Sequence, residues 1–251
     1  MPPLSIVIIT KNEERNIGRC LKSVKDIADD IVVVDSFSED ATEEICKSYH
    51  VNFIKHQWEG YSATKNFAND QARHDWILSL DADEALSDEL IQSISKIKAL
   101  PLPAHYKFSR LTNYCGKWIR HCGWYPDYRY RFFDRRTTHW EGLIHEKLNF
   151  APDAKFELLQ GDCLHYSYYS TAEHWAQAKK FSELAALDLF QNKKKSDLLK
   201  MFFSPVIKFI KHYFLKLGFM DGSSGLRISY ISAWATFHKY RTLKSLEINS
   251  Q

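Results

Sequence analysis

The chain lacks the pairs that would build a cysteine framework. Its five cysteines, Cys20, Cys46, Cys115, Cys122 and Cys163, are odd in number and none belongs to a CxxC pair. That argues against a disulfide scaffold and against a structural zinc site. Reduced thiols are expected. Charge of one sign is also scarce: 34 Lys and Arg against 31 Asp and Glu leave a formal +3, too mild a surplus to indicate nucleic acid. The opening stretch, MPPLSIVIITKNEE, has no basic region and no small-residue cleavage site, so no signal peptide is expected. No uncharged apolar run approaches the roughly 20 residues needed to span a bilayer. There is no internal repeat, no low-complexity linker, and neither a GxGxxG nor a GxxxxGKS/T loop, which removes the main support for dinucleotide and P-loop readings. A folded protein of the cytoplasm is the expectation.

What is present is an alternation of strands and helices over the first third of 251 residues, a length sufficient for one large domain or one domain with an appendage. Leu4 to Thr10 is a β-branched apolar run, as expected of a strand buried on both faces. Asn12 is placed to cap the helix after it, whose apolar positions Ile17, Leu21 and Val24 recur at helical spacing. A second strand, Ile31 to Val34, ends on Asp35, and Asp40 with Glu43 resembles a capping pair for a short helix. Val51 to Ile54 reads as a third strand. A helix from about Ser62 to Ala72 leads to a fourth, Trp76 to Leu80, ending on Asp81. This rhythm predicts βαβ units and a mainly parallel, Rossmann-like α/β sheet. A helix from Leu86 to Leu100, stopped by Pro101 and Pro103, is followed by an aromatic and arginine-rich stretch to Phe150. Beyond residue 160 the pattern is helical: His174 to Phe190, Leu198 to Leu217 interrupted at Pro205, and Leu226 to Leu246 after a turn at residues 221–225. A catalytic domain over 1–160 and a helical, membrane-associating region over 161–251 follow.

Three polar clusters fall where strands end: Thr10 to Glu13, Asp35-Ser36, and Asp81-Ala82-Asp83-Glu84. In open α/β sheets ligands bind at the carboxyl ends of strands, so all three are expected on one rim. Two carboxylates at i and i+2 in a turn suit Mg²⁺ or Mn²⁺, which bind through few carboxylates while substrate phosphates complete the shell. Such an ion neutralises charge growing on a departing diphosphate. Asp35 is placed to meet a base or a ribose hydroxyl, or else to cap a helix, a task that Ser36 or Ser38 could also perform.

The blocks SIVIITKNEERNIGRCLKSV, IVVVDSFSEDAT and WILSLDADEAL, in this order and spacing, resemble the GT-A glycosyltransferases of family 2. WYPDYRYRFFDRR, GLIHEKL and FFSPVIKFIKHYFLKLGFMDGSSGL are similar to the branch containing lipopolysaccharide-core β-glucosyltransferases, so the resemblance covers nearly the whole chain. It implies that Asp35 holds uracil and that Thr10, Asn12 and Glu13 line the nucleotide pocket. Asp81, with Ala82, approaches the ribose, Asp83 binds the metal, and Lys65 and Asn66 line the donor site unless they belong to a solvated helix face. The Glu-Asp pair that many family members use as base is missing. Inversion needs a group to take the acceptor proton, and Glu146 is the first choice and Asp127 the second, with a structural ion pair as the alternative for Glu146. His145 is a candidate metal or diphosphate ligand, with a structural role as the alternative. Arg129, Arg131 and Arg135, at even spacings, would share a strand face and contact diphosphate or an anionic acceptor, unless that face is merely solvated. Trp118, Trp124, Tyr125 and Trp140 could stack on sugars or pack in the core.

Between Lys193 and Phe219 seven lysines accompany one acid, Asp197. Lys208, Lys211, His212 and Lys216 fall on one helix side, the pattern of a helix lying in an anionic membrane interface, although packing on the catalytic domain or an oligomer contact would serve as well. The reading is an inverting transferase moving a hexose, glucose for example, from a UDP-sugar to a lipopolysaccharide-core or other envelope glycan at the inner face of the cytoplasmic membrane. Two alternatives stand beside it. One is a Mg²⁺-dependent phosphatase with an aspartyl nucleophile, whose DxD motif would follow the first strand rather than the fourth. The other is a membrane scaffold that binds nucleotide without turnover.

Overall fold

The computed structural model describes residues 2–99, 105–142 and 146–249, and these divide into two units. Unit 1 comprises residues up to Arg110 together with Asp127–Tyr166. Its chain runs β1 (Leu4–Thr10), α1 (Ile17–Val24), β2 (Asp30–Asp35), α2 (Thr42–Ser48), β3 (Asn52–Lys55), α3 (Tyr61–Asp70), β4 (Trp76–Asp81), β5 (Glu84–Leu86) and α4 (Asp88–Lys98). The remaining strands are β6 (His105–Tyr114), β7 (Lys117–Ile119), β8 (Asp127–Asp134), β9 (Thr138–Glu141), β10 (Lys147–Phe150) and β11 (Phe156–Tyr168), of which β7 and the ends of β6 and β11 belong to the second unit. The main sheet has the order β3-β2-β1-β4-β8-β6-β11-β5, while β9 and β10 form a separate antiparallel pair.

The βαβ rhythm accounts for the first half of that sheet. β1, β2, β3 and β4 are parallel, because each is separated from the next by a helix long enough to cross back. β8 pairs antiparallel with both β4 and β6, and β11 pairs antiparallel with β5. β1 alternates between two cores. Leu4, Ile6 and Ile8 pack with Ile17, Leu21 and Val24 of α1, while Val7 and Ile9 pack with Val32, Val34 and Ala68 of α3. A strand coated on both faces has no polar side to offer, hence its continuous apolar sequence.

Several local expectations change. Asn12 does not cap α1, which starts at Ile17 after Asn16. It adopts φ 54° and its Oδ1 accepts from the amide of Glu39 at 2.8 Å. Asp40 caps locally through Thr42, but Glu43 turns instead to Lys47 and Lys55. Glu84–Leu86 is a short strand paired with β11, and Ser87 rather than Leu86 opens the next helix by accepting from the Leu90 amide. β11 runs through residue 160. Gly161 within it has φ 93°, and a Cβ there would lie 2.3 Å from the Leu90 nitrogen, so only glycine lets β11 pass the start of α4.

Unit 2 comprises Leu111–Pro126 and Ser167–Gln251. The end of β6 pairs with β7, and the helices are α5 (Thr171–Gln191), α6 (Leu198–Ile210) and α7 (Gly222–Asn249). Pro205 lies inside α6 instead of breaking it, and the helix widens into a π turn over Lys211–Leu215. Residues 222–225 begin α7 rather than forming a turn. A Cβ on Gly225 would fall 1.8 Å from the carbonyl oxygen of Gly218, so the glycine serves a close backbone approach. Lys208 and His212 are half-buried, whereas Lys211 and Lys216 are exposed. The expected cationic side is therefore divided between the covered and open faces of the helix.

Candidate active site

Strand register brings the rim together. Thr10 lies opposite Asp35 in the β1–β2 pairing, and Ile9 opposite Asp81 in β1–β4. Hydrogen bonds between the loops then fix it: Ser36 N to Thr10 O at 2.9 Å, Asn12 N to Ser38 Oγ at 2.7 Å, and Glu13 N to Thr42 Oγ1 at 2.8 Å. Asp35 is fully buried, and its carboxylate accepts from the Ser38 amide at 2.8 Å and from the Ser38 hydroxyl. It caps no helix; it holds its own loop. Thr10 Oγ1 is buried with no hydrogen-bond partner among the described residues, a group left for a ligand to satisfy. Burial pushes the Glu13 carboxyl up; a hydrogen bond from Asn16 opposes this, and the charges of Asp83 and Asp40 add to it.

The turn after β4 carries a chain of alternating charges. Asp81 Oδ1 lies 3.0 Å from Lys65 Nζ, and Oδ2 lies 2.6 Å from Arg131 Nη2. Arg131 also meets Glu84 Oε1 at 3.4 Å, and Glu84 meets Arg110 at 3.5 Å. Arg110 then reaches Asp127 at 2.9 Å, while at the other end Lys65 reaches Glu146 at 3.3 Å. The two candidate bases thus sit at opposite ends of one network. Glu84 also accepts from the Asp81 amide at 3.0 Å, which closes the turn. Burial would push the Asp81 carboxyl up, but Arg131 and then Lys65 hold it well below the usual carboxylate range. It stays ionised.

Asp83 stands outside this network. Its Oδ2 lies 3.1 Å from Nε2 of His165 on β11, delivered there by the pairing of His165 with Glu84. His165 Nδ1 is buried without a partner among the described residues. Adjacent ligands of a divalent ion, each roughly 2.0–2.2 Å away at right angles, are about 3 Å apart. Asp83 and His165 therefore suit two neighbouring positions of one metal. No set of three or more His, Cys, Asp or Glu ligands occurs among the described residues. The donor set fits an ion that draws its remaining ligands from water and phosphate, as Mg²⁺ does. His145, the ligand anticipated from sequence, lies outside the described residues.

The other expected residues disperse. Asn66 spends its amide on the backbone of Trp140, donating at 2.9 Å and accepting at 2.8 Å. Trp140 is buried against Phe133. Arg135 donates to the carbonyls of Asn69 and Ala72, and Arg129 clasps Asp127, so only Arg131 of the three arginines reaches Asp81. Trp124 packs among Tyr114, Tyr168 and His174 in unit 2. His165 and Arg110 were not singled out beforehand, whereas Glu84 was named only as the last member of the acidic cluster. Nothing local in the sequence ties His165 and Arg110 to the 81–84 turn, and only strand pairing does.

A Rossmann-like sheet, parallel through its first half and bearing an acidic DxD turn on its carboxyl edge, defines the GT-A class of sugar transferases. Residues 5–145 match the family described as Glycosyl transferase family 2, and the chain belongs to that family. Among its relatives is an uncharacterised glycosyltransferase of Rickettsia typhi, 32% identical over 100% of this chain and 90% of that protein. The lipopolysaccharide core biosynthesis glycosyltransferase LpsC of Rhizobium meliloti is 27% identical over 95% and 93%. Among solved structures, residues 1–349 of TarS from S. aureus align at a TM-score of 0.47 and 15% identity, covering 99% of this chain and 92% of that one.

Proposed function

We propose that this glycosyltransferase moves a hexose, glucose for example, with inversion, from a UDP-sugar to a lipopolysaccharide-core or similar cell-envelope glycan. The observation that carries the donor half is the Asp83–His165 pair at 3.1 Å beside an ionised Asp81 on the rim. Thr10, Asn12, Glu13 and Asp35 would line the nucleotide pocket, with Asp81 and Ala82 beside the ribose. Asp83 and His165 would hold Mg²⁺ or Mn²⁺, which when bound offsets charge on the departing diphosphate. Lys65 and Arg131 keep Asp81 ionised and aimed. The acceptor half rests on the relationship to LpsC, whose name assigns it to lipopolysaccharide core synthesis. An acceptor of that kind is lipid-linked, which would bring the enzyme to the inner face of the cytoplasmic membrane.

For the base, Glu146 is favoured over Asp127. Asp127 Oδ2 accepts from both Arg110 and Arg129, and a proton arriving there would be repelled by two guanidiniums. Among the described residues Glu146 pairs with one cation, Lys65, which it shares with Asp81. Titration calorimetry with UDP tests the donor site: binding should strengthen with Mn²⁺, and Asp83→Asn or His165→Ala should remove that gain. UDP indifferent to metal would overturn the assignment. Glu146→Gln should bind UDP normally yet lose transfer by about 10²–10⁴-fold, scored by UDP release from a panel of UDP-sugars with acceptor present. Full activity would move the base to Asp127.

A further inference from the structure

α6 is amphipathic in the reverse sense for a water-facing helix. The side packed along α7 carries Ser204, Lys208 and His212, all half-buried. Burial lowers the Lys208 ammonium, and Lys211 and then Lys239 of α7 lower it further. The opposite side presents Leu199, Phe203, Val206, Ile207, Ile210 and Phe214, each between 44% and 65% exposed. These positions recur at helical spacing, so they form one continuous apolar face through the π turn. Water does not select such a face.

The surrounding charge identifies what covers it. Lys193, Lys194, Lys195, Lys200, Lys211 and Lys216 are all exposed around this face. The one acid of the segment, Asp197, is occupied as the α6 N-cap, accepting from the Leu199 amide at 2.9 Å. A second copy seated here about a twofold axis would set these lysines against their own images. An anionic lipid surface would neutralise them while taking up the apolar side chains. Thirteen residues of helix extend about 20 Å, short of a ~30 Å hydrocarbon core, and no described helix is long and apolar enough to cross a membrane.

We propose that α6 and its π-helical continuation lie in the plane of an anionic bilayer. The Leu199–Phe214 face is buried among acyl chains and the flanking lysines sit on headgroups. None of these residues belongs to the donor site, so the proposal stands or falls apart from the transferase reading. Flotation of the full chain with vesicles of phosphatidylcholine, alone or mixed with phosphatidylglycerol, tests it. Binding is expected on the mixed vesicles and should fall as salt rises. Phe203→Glu with Ile207→Glu should weaken it at least about tenfold without changing the thermal midpoint or UDP affinity, since both side chains are already solvent-exposed. Lys193, Lys194 and Lys195 changed to Gln should abolish the preference for phosphatidylglycerol. Undiminished binding by the Glu variant would overturn the proposal. So would absence of vesicle binding together with light scattering that shows a dimer dissolved by the same variant, which would assign the face to a second copy.

Discussion

Lys65 is 1% exposed and lies between two carboxylates, 3.0 Å from Asp81 and 3.3 Å from Glu146. A lone ammonium could not remain there, and neither could Asp81 without its cations, because desolvation penalises any unpaired charge. Lys65→Met is therefore expected to destabilise the chain by about 3–5 kcal/mol, as breaking a buried pair does. Urea unfolding with donor absent measures this. The same substitution should impair UDP binding, because Asp81 would then be free to protonate or to turn toward Arg131 alone. The 81–84 cluster was legible from sequence as a carboxylate turn after a buried strand. What the sequence could not supply is the division of labour within it. Asp81 is committed to Lys65 and Arg131, Glu84 closes the turn from beneath, and Asp83 alone faces His165.

Elements in this chain end for reasons of two different sizes. α5 begins with a full capping box, in which Ser170 accepts from the Glu173 amide and Glu173 reaches back. Ser170→Ala should cost about 1 kcal/mol. α7 begins instead with a backbone crossing, where a methyl group on Gly225 would sit 1.8 Å from a carbonyl oxygen. Gly225→Ala should cost about 3 kcal/mol, since backbone must move to admit the side chain. Thermal melts of the two variants should rank them in that order, and equal shifts would contradict the crossing. Helical periodicity gave α1, α3 and α5 to within a few residues. The 221–225 run reads as a turn because glycine and serine mark turns and close approaches alike, and nothing in sequence separates these uses.

At the scale of the whole molecule, acid should begin to destabilise the fold through its buried histidines. His174 is buried among Tyr114, Trp124 and Tyr168, with its Nδ1 3.1 Å from the Tyr114 hydroxyl. Burial pushes it down to about 4, and burial, followed by the charges of three lysines, does the same to His212. In the unfolded chain a histidine titrates near 6.5. Between that value and 4 the unfolded state binds protons that the folded state refuses, so stability is full above about 6.5 and falls as pH drops toward 4. His174 alone accounts for a loss of up to about 3 kcal/mol over this window. Urea midpoints measured across it should decline, and His174→Gln should flatten the profile. A wild-type midpoint constant from pH 6.5 to 4 would refute the assignment.

By itself the sequence determined the parallel half of the sheet and the rim it carries. Each strand there is flanked by its own crossover helix, and local periodicity is all that such units require. It also determined the family, through three blocks that lie within those units. Tertiary structure decided the rest, because the partners are remote in the chain. His165 reaches Asp83 only through the β5–β11 pairing, and Arg110 and Arg131 reach Glu84 from separate strands. The outward side of α6 was likewise decided by packing. Its sequence has both apolar and basic sides, and only the contact with α7 fixes which one the molecule leaves uncovered.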